Sequence, residues 1–209
     1  FGISPGYIST LMKNDAVPAK NHKLQSLKTV LSTGSPLLAD HFQYIQKSIK
    51  DGVQISSISG GTDIISCFVL GNPMTPVFKG EIQSIGLGMD VRVFTDNGKE
   101  AQREEKGELV CTQPFPSMPI GFFNDPGKRK YKQSYFSSYE NIWAHGDFAT
   151  ITNNGGVIIY GRSDATLNSK GIRIGTAEIY RQTEKFSDIL EAVVVDTIVY
   201  SESTVTLFL

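Results

Sequence analysis

A chain of 209 residues, 40% hydrophobic and 20% charged, has the composition of a globular protein and the length of one substantial domain or one and a half. Its formal net charge of −1 excludes a global electrostatic attraction to nucleic acid or to an anionic membrane, and no apolar run reaches the ~18 residues that span a bilayer. Two cysteines far apart in apolar runs, Cys67 and Cys111, predict free thiols in a reducing compartment rather than a disulfide framework or metal site, so with no signal peptide visible the cytoplasm is the expected location.

The first third alternates helix and strand. Ser4 is placed to cap a helix that begins at Pro5 and carries Tyr7, Ile8, Leu11 and Met12 on one face. A strand over Thr29–Ser32 runs into the turn Thr33-Gly34-Ser35-Pro36. Leu38, Phe42, Ile45 and Ile49 then recur at helical spacing, with Gly52 as the stop. A strand over Val53–Ile58 leads to the glycine turn Ser59-Gly60-Gly61-Thr62-Asp63. This order predicts part of an α/β layer sheet over residues 1–70.

Beyond residue 70 the helical period disappears. Met89–Phe94 alternates, Asp96-Asn97-Gly98 is a hairpin signal, and Gly107–Thr112 reads as a strand. The prolines at 114, 116 and 119 require a loop, and the basic cluster Lys128-Arg129-Lys130 with Lys132 reads as solvated surface. Phe148–Thr152 and Val157–Tyr160 flank Asn153-Asn154-Gly155-Gly156 as a second hairpin. Residues 71–162 are therefore expected to form a small β-barrel or a distorted antiparallel sheet.

From residue 163 a third hairpin is expected, Ala165–Asn168 with Ile172–Ile174, followed by a helix from Thr176 to Phe186 and a strand over Ile189–Val195. The chain starts at Phe1 and stops inside the apolar run Val205-Thr206-Leu207-Phe208-Leu209, which predicts a piece of a longer protein.

Glycine turns after strands are where open α/β sheets bind ligands, because backbone N–H groups converge there unobstructed. Gly34-Ser35-Pro36 and Ser59–Asp63 are two such turns; taken singly, each reads first as a tight turn. Asp147, after Gly146 and before a predicted strand, can accept both hydroxyls of a ribose, and Arg162 adds a second fixed polar group.

In this order the motifs resemble the adenylate-forming superfamily of acyl-CoA synthetases, luciferases and adenylation domains. The segments carrying the likeness are Gly34-Ser35-Pro36, Ser57–Asp63, Gly107-Glu108-Leu109, Trp143-Ala144-His145-Gly146-Asp147 and Gly161–Tyr180. The resemblance implies that Gly34, Ser35 and Pro36 contact adenine, that Thr62 meets the phosphate and that Asp63 helps to hold Mg²⁺. It implies that Asp147 and Arg162 bind the ribose region and that Asp164 is the hinge to a small C-terminal domain, cut short here, over residues 163–209. Asn168, Gly171 and Arg173 would line the CoA tunnel or approach the phosphates after rotation, whereas Lys170 reads as an exposed turn lysine.

Within the family the wording of these segments is similar to the branch that activates acetoacetate. Gly60 stands where acetate-activating relatives carry a tryptophan, so an enlarged acyl pocket lined by Gly60 and Gly61 is expected. The substrates implied are acetoacetate, ATP and CoA, with neither nucleic acid nor membrane as partner.

The family's phosphate loop, with its lysine, and its C-terminal lysine are not among these residues. Charge on the α-phosphate must be neutralised as pyrophosphate leaves, so the piece alone is expected to be inactive. Two other readings remain open, a non-catalytic remnant of a disrupted synthetase gene and a synthetase for another short carboxylic acid.

Overall fold

In the computed structural model, residues 1–164, 166–169, 172–183, 185–186, 188–199 and 202–209 are described. The first layer is a parallel sheet in the order β1-β2-β3, built from β1 (Gly2–Ile3), β2 (Thr29–Ser32) and β3 (Gln54–Ser57). Its crossovers are helical, as parallel pairing requires: α1 (Pro5–Lys13) and the short α2 (Pro18–Asn21) join β1 to β2, and α3 (Ala39–Tyr44) joins β2 to β3.

The hydroxyl of Ser4 accepts the Tyr7 N–H at 3.2 Å and Pro5 opens α1, so this helix start was written in the sequence. Ser4→Ala should cost about 1 kcal/mol of stability, measured by urea unfolding. Helix α3 ends in a π-turn over Ile45–Ile49, in which the Lys50 N–H donates to the Ile45 carbonyl at 3.0 Å. Ile8, Val30, Phe42, Ile45 and Ile55 form the core between helices and sheet.

The second body is antiparallel. β4 (Ser59–Gly61), β5 (Ser66–Leu70) and β6 (Ser84–Ile85) form one sheet. A second, in the order β10-β9-β8-β7, contains β7 (Val91–Phe94), β8 (Gly107–Cys111), β9 (Trp143–Ile151) and β10 (Val157–Arg162). Reciprocal backbone hydrogen bonds of 2.8 Å between Ile82 and Val157 tie the two sheets together. The described strands of this body thus form two antiparallel sheets, of three and four strands. Its core holds Phe68, Leu109, Phe115 and Trp143 and already includes Ile64, ahead of the boundary expected at residue 70.

Helix α4 (Arg129–Tyr135) fills the connection between β8 and β9, where a solvated basic cluster was expected. It presents lysines outward but buries Tyr131, and Tyr135 stacks on Trp143 with ring centroids 3.6 Å apart. The Asp125 carboxylate accepts the backbone N–H groups of Lys130 (3.1 Å) and Tyr131 (2.9 Å), which caps this short helix from outside it.

After β10 come the hairpin β11 (Thr166–Ser169) and β12 (Ile172–Gly175), helix α5 (Thr176–Thr183), and the antiparallel pair β13 (Val193–Val199) and β14 (Glu202–Phe208). Helix α5 is shorter than expected and β13 starts later; residues 185–186 and 188–192 form turns and irregular chain between them. Lys106 pairs with Glu178 of α5 while its ammonium lies 4.8 Å from the Phe148 ring centroid, joining α5 to the antiparallel body.

Candidate functional site

Strand β9 carries the site because its register is broken on both sides. Against β8 the pairing jumps from Glu108↔Phe148 to Val110↔Ala144, leaving extra residues at 145–147. Against β10 it shifts between Ile159 and Gly161. Bulges of this kind re-aim side chains, and here Trp143, His145 and Asp147 are all buried. The sequence reading placed Asp147 just before a strand; the structure places it inside one. Gly146 is required there: its φ is +81°, and a Cβ would stand 2.6 Å from Nη2 of Arg162.

Asp147 opens onto a cavity of about 310 Å³ lined by Gly34, Ser35, Pro36, Ser57, Ser59 and Gly60 together with Ile159, Gly161 and Arg162. The first glycine turn, the end of β3, β4 and the two charged residues therefore meet at one place. Gly34 adopts φ +99°, a conformation that favours glycine.

Within that wall Ser59 Oγ donates to Asp147 Oδ2 at 3.2 Å, and Arg162 Nη1 reaches Oδ1 at 3.4 Å. Arg162 also donates to both oxygens of Asp164 (2.8 and 2.5 Å) and to the His145 carbonyl (3.2 Å). Burial pushes the Asp147 carboxyl above its ordinary value, against the pull of His145 and Arg162. Burial likewise lowers His145 and raises Glu108, whose carboxylate accepts the Gly146 N–H at 2.6 Å. The arrangement offers a buried acceptor pair and a half-exposed guanidinium, which suits a diol next to an anion.

Thr62 and Asp63 stand apart from this cavity, exposed at the turn between β4 and β5. The Tyr135 hydroxyl donates to Asp63 Oδ2. No group of three or more His, Cys, Asp or Glu side chains that could hold a metal ion occurs among the described residues. A single carboxylate still fits Mg²⁺ carried in by phosphate oxygens, since that ion keeps most of its ligands from water and phosphate.

Asn168 and Arg173 are register partners in the backbone pairing of β11 with β12; Gly171, like Lys170, lies outside the described residues. The expectation that Gly60 leaves room for a larger acyl group needs correction. A Cβ at Gly60 would lie 2.1 Å from the Ser66 carbonyl oxygen and 2.6 Å from Cys67 Cα. The backbone of β5 occupies that direction, so glycine is there for close strand approach. Gly60→Ala should force β4 away from β5 at a cost of about 1–3 kcal/mol, measured by thermal unfolding.

Sequence reasoning missed the contacts of His145, Ser59 and Tyr135 and the hydrogen bond that Glu108 accepts from Gly146. The alternation Trp143, His145, Asp147 was the available signal for His145, masked by the glycine between them. No helix among the described residues is long and apolar enough to cross a membrane.

No protein-family model matches the chain. Acetoacetyl-coenzyme A synthetase of Rhizobium meliloti (strain 1021) is 56% identical over 192 residues, covering 92% of this chain and 29% of that protein. Acetoacetyl-CoA synthetase of Gallus gallus is 46% identical over 195 residues, 93% of this chain and 29% of its own length. The solved structure of acetoacetyl-CoA synthetase from Streptomyces lividans matches with a TM-score of 0.83 and 41% identity, over 94% of this chain and 30% of that one. An anthranilate CoA ligase, AuaEII, solved with anthranoyl-AMP, shares the fold at a TM-score of 0.77 and 20% identity, over 99% of this chain and 38% of its own. The chain thus spans about 29% of the length of the curated relatives it matches.

Proposed function

We propose that this chain, similar to acetoacetyl-CoA synthetases along nearly all of its length, forms the nucleotide-binding wall and hinge of an ATP-dependent acyl-CoA ligase. The whole protein would convert acetoacetate, ATP and CoA to acetoacetyl-CoA, AMP and pyrophosphate. An acid oxygen attacks the α-phosphorus and the bond to pyrophosphate breaks. The CoA sulfur then attacks the acyl carbon, and AMP leaves with the electron pair of the C–O bond.

The observation that carries this reading is the cavity where Gly34-Ser35-Pro36, Ser59 and Asp147 meet Arg162. The turn at Gly34 would receive the adenine, and Asp147 would exchange its Ser59 contact for the ribose hydroxyls. Arg162 would hold the same region of the nucleotide. Thr62 would meet the phosphates, with Asp63 the carboxylate available to the Mg²⁺ that enters with ATP. Asn168, Gly171 and Arg173 would face CoA after rotation about Asp164. Residues 1–70 and 71–162 would then belong to the large domain and 163–209 to the small one.

Since the side-chain direction at Gly60 is filled by β5, the preference for acetoacetate rests on likeness to the relatives. Pyrophosphate release by the whole protein with acetoacetate, acetate and butyrate tests it. Acetoacetate should be the fastest, and an equal rate with butyrate would remove the keto-acid assignment.

A further inference from the structure

Strand β4 is gripped from both sides. Its Gly60 has no room toward the backbone of β5, and a Cβ at Gly61 would come within 3.0 Å of His145 Cε1. His145 Nε2 lies 3.2 Å from the Gly60 carbonyl oxygen, and Nδ1 lies 3.4 Å from Trp143 Nε1. An indole N–H can only donate. Nδ1 must therefore accept, the ring proton must sit on Nε2, and Nε2–H donates to Gly60. The Phe68 ring packs nearly perpendicular to the imidazole, 4.7 Å away between centroids.

We infer that His145 is a positioning residue for the proposed nucleotide site, fixed in the Nε2–H form by Trp143 and holding β4 through the Gly60 carbonyl so that Ser59 meets Asp147. The inference deepens the nucleotide-binding reading and rests on it for its affinity consequence, but not for the tautomer or for the clamp on β4. The Gly60 carbonyl lies in the Gly60–Gly61 peptide plane, one Cα beyond the Ser59–Gly60 plane, so this bond anchors β4 one residue from Ser59. Asp147 Oδ2 is 3.7 Å from Nε2, beyond a hydrogen bond, which leaves that oxygen to Ser59.

Three readouts test this, the first two on the chain and the third on the whole protein. Nitrogen NMR of ¹⁵N-labelled histidine, with the signal assigned by its loss in His145→Gln, should show a proton on Nε2 and none on Nδ1. A proton on Nδ1 would overturn the inference. Hydrogen exchange at the amides of β4 should quicken about three- to tenfold in His145→Leu, which keeps bulk but has no donor. His145→Gln, whose amide can place a donor near the Nε2 position, should stay close to the parent chain. Equal acceleration in both variants would mean that ring packing, not the donor, holds β4.

In the whole protein, ATP affinity should fall in the same order, about three- to tenfold in the leucine variant and much less in the glutamine variant. Parent-like affinity in His145→Leu would refute the positioning role. If the parent itself bound no ATP, the nucleotide reading would fail, while the tautomer and exchange results would still decide the clamp.

Discussion

In the whole protein, replacing Asp147 by alanine should weaken ATP binding by about 2–4 kcal/mol, roughly 30- to 700-fold, because two hydrogen bonds from a ribose to a buried carboxylate would be lost. The structure makes this a clean substitution. Arg162 keeps both oxygens of Asp164 as partners, so the change does not strand a buried cation, and Ser59 faces an open cavity in which water can replace its acceptor. Asp147→Asn retains one acceptor oxygen and should fall between the two. Titration calorimetry, with circular dichroism to check the fold, gives the answer; unchanged affinity in the alanine variant would refute the ribose role.

Trp143→Ala should be the most damaging single change to stability, at about 3–5 kcal/mol. The indole is buried to 1% exposure, with Phe68, Phe115, Tyr131 and Phe136 edge-on to it and Tyr135 stacked on its face. At ~2–4 °C per kcal/mol for a body of this size, Tm should drop by roughly 6–20 °C. Helix α4 would also lose its dock, and with it the hydroxyl that Tyr135 gives to Asp63. A loss under about 1 kcal/mol would show that the surrounding rings can close the void.

How much of this was legible depended on whether the signal was local. Ser4 with Pro5, Gly52 after the α3 period and Asp96-Asn97-Gly98 act over a few residues, and each lies where the sequence put it. The failures were non-local. Ser59-Gly60-Gly61 has turn composition yet is a strand, because it pairs with β5, whose backbone leaves no room for a Cβ at Gly60. The His145-Gly146-Asp147 segment looks like a turn yet continues β9, since its bulges depend on pairings with Glu108 and Arg162 far away in sequence. Helix α4 has a basic surface and a cap supplied by Asp125, and the apolar signal of its two tyrosines becomes readable only once Trp143 is beside them.

For the candidate site the sequence supplied the cavity wall, Gly34 to Pro36 with Asp147 and Arg162, because these rest on motif order. It could not supply the fact that Gly60 is closed to substituents or that a histidine sits behind it. Both are properties of strand spacing.

The guanidinium of Arg162 divides itself between Asp147 on the cavity wall and Asp164 at the expected pivot. A shared cation makes the two carboxylates competitors. A nucleotide that drew Arg162 toward the cavity would loosen its hold on Asp164, and a rotation at Asp164 would change the charge that Asp147 feels. Thermodynamic reciprocity then requires equal factors in both directions: if nucleotide shifts the equilibrium of the small domain, the position of that domain must shift nucleotide affinity by the same ratio. One arginine would thus couple occupancy to rotation without a longer path through the protein.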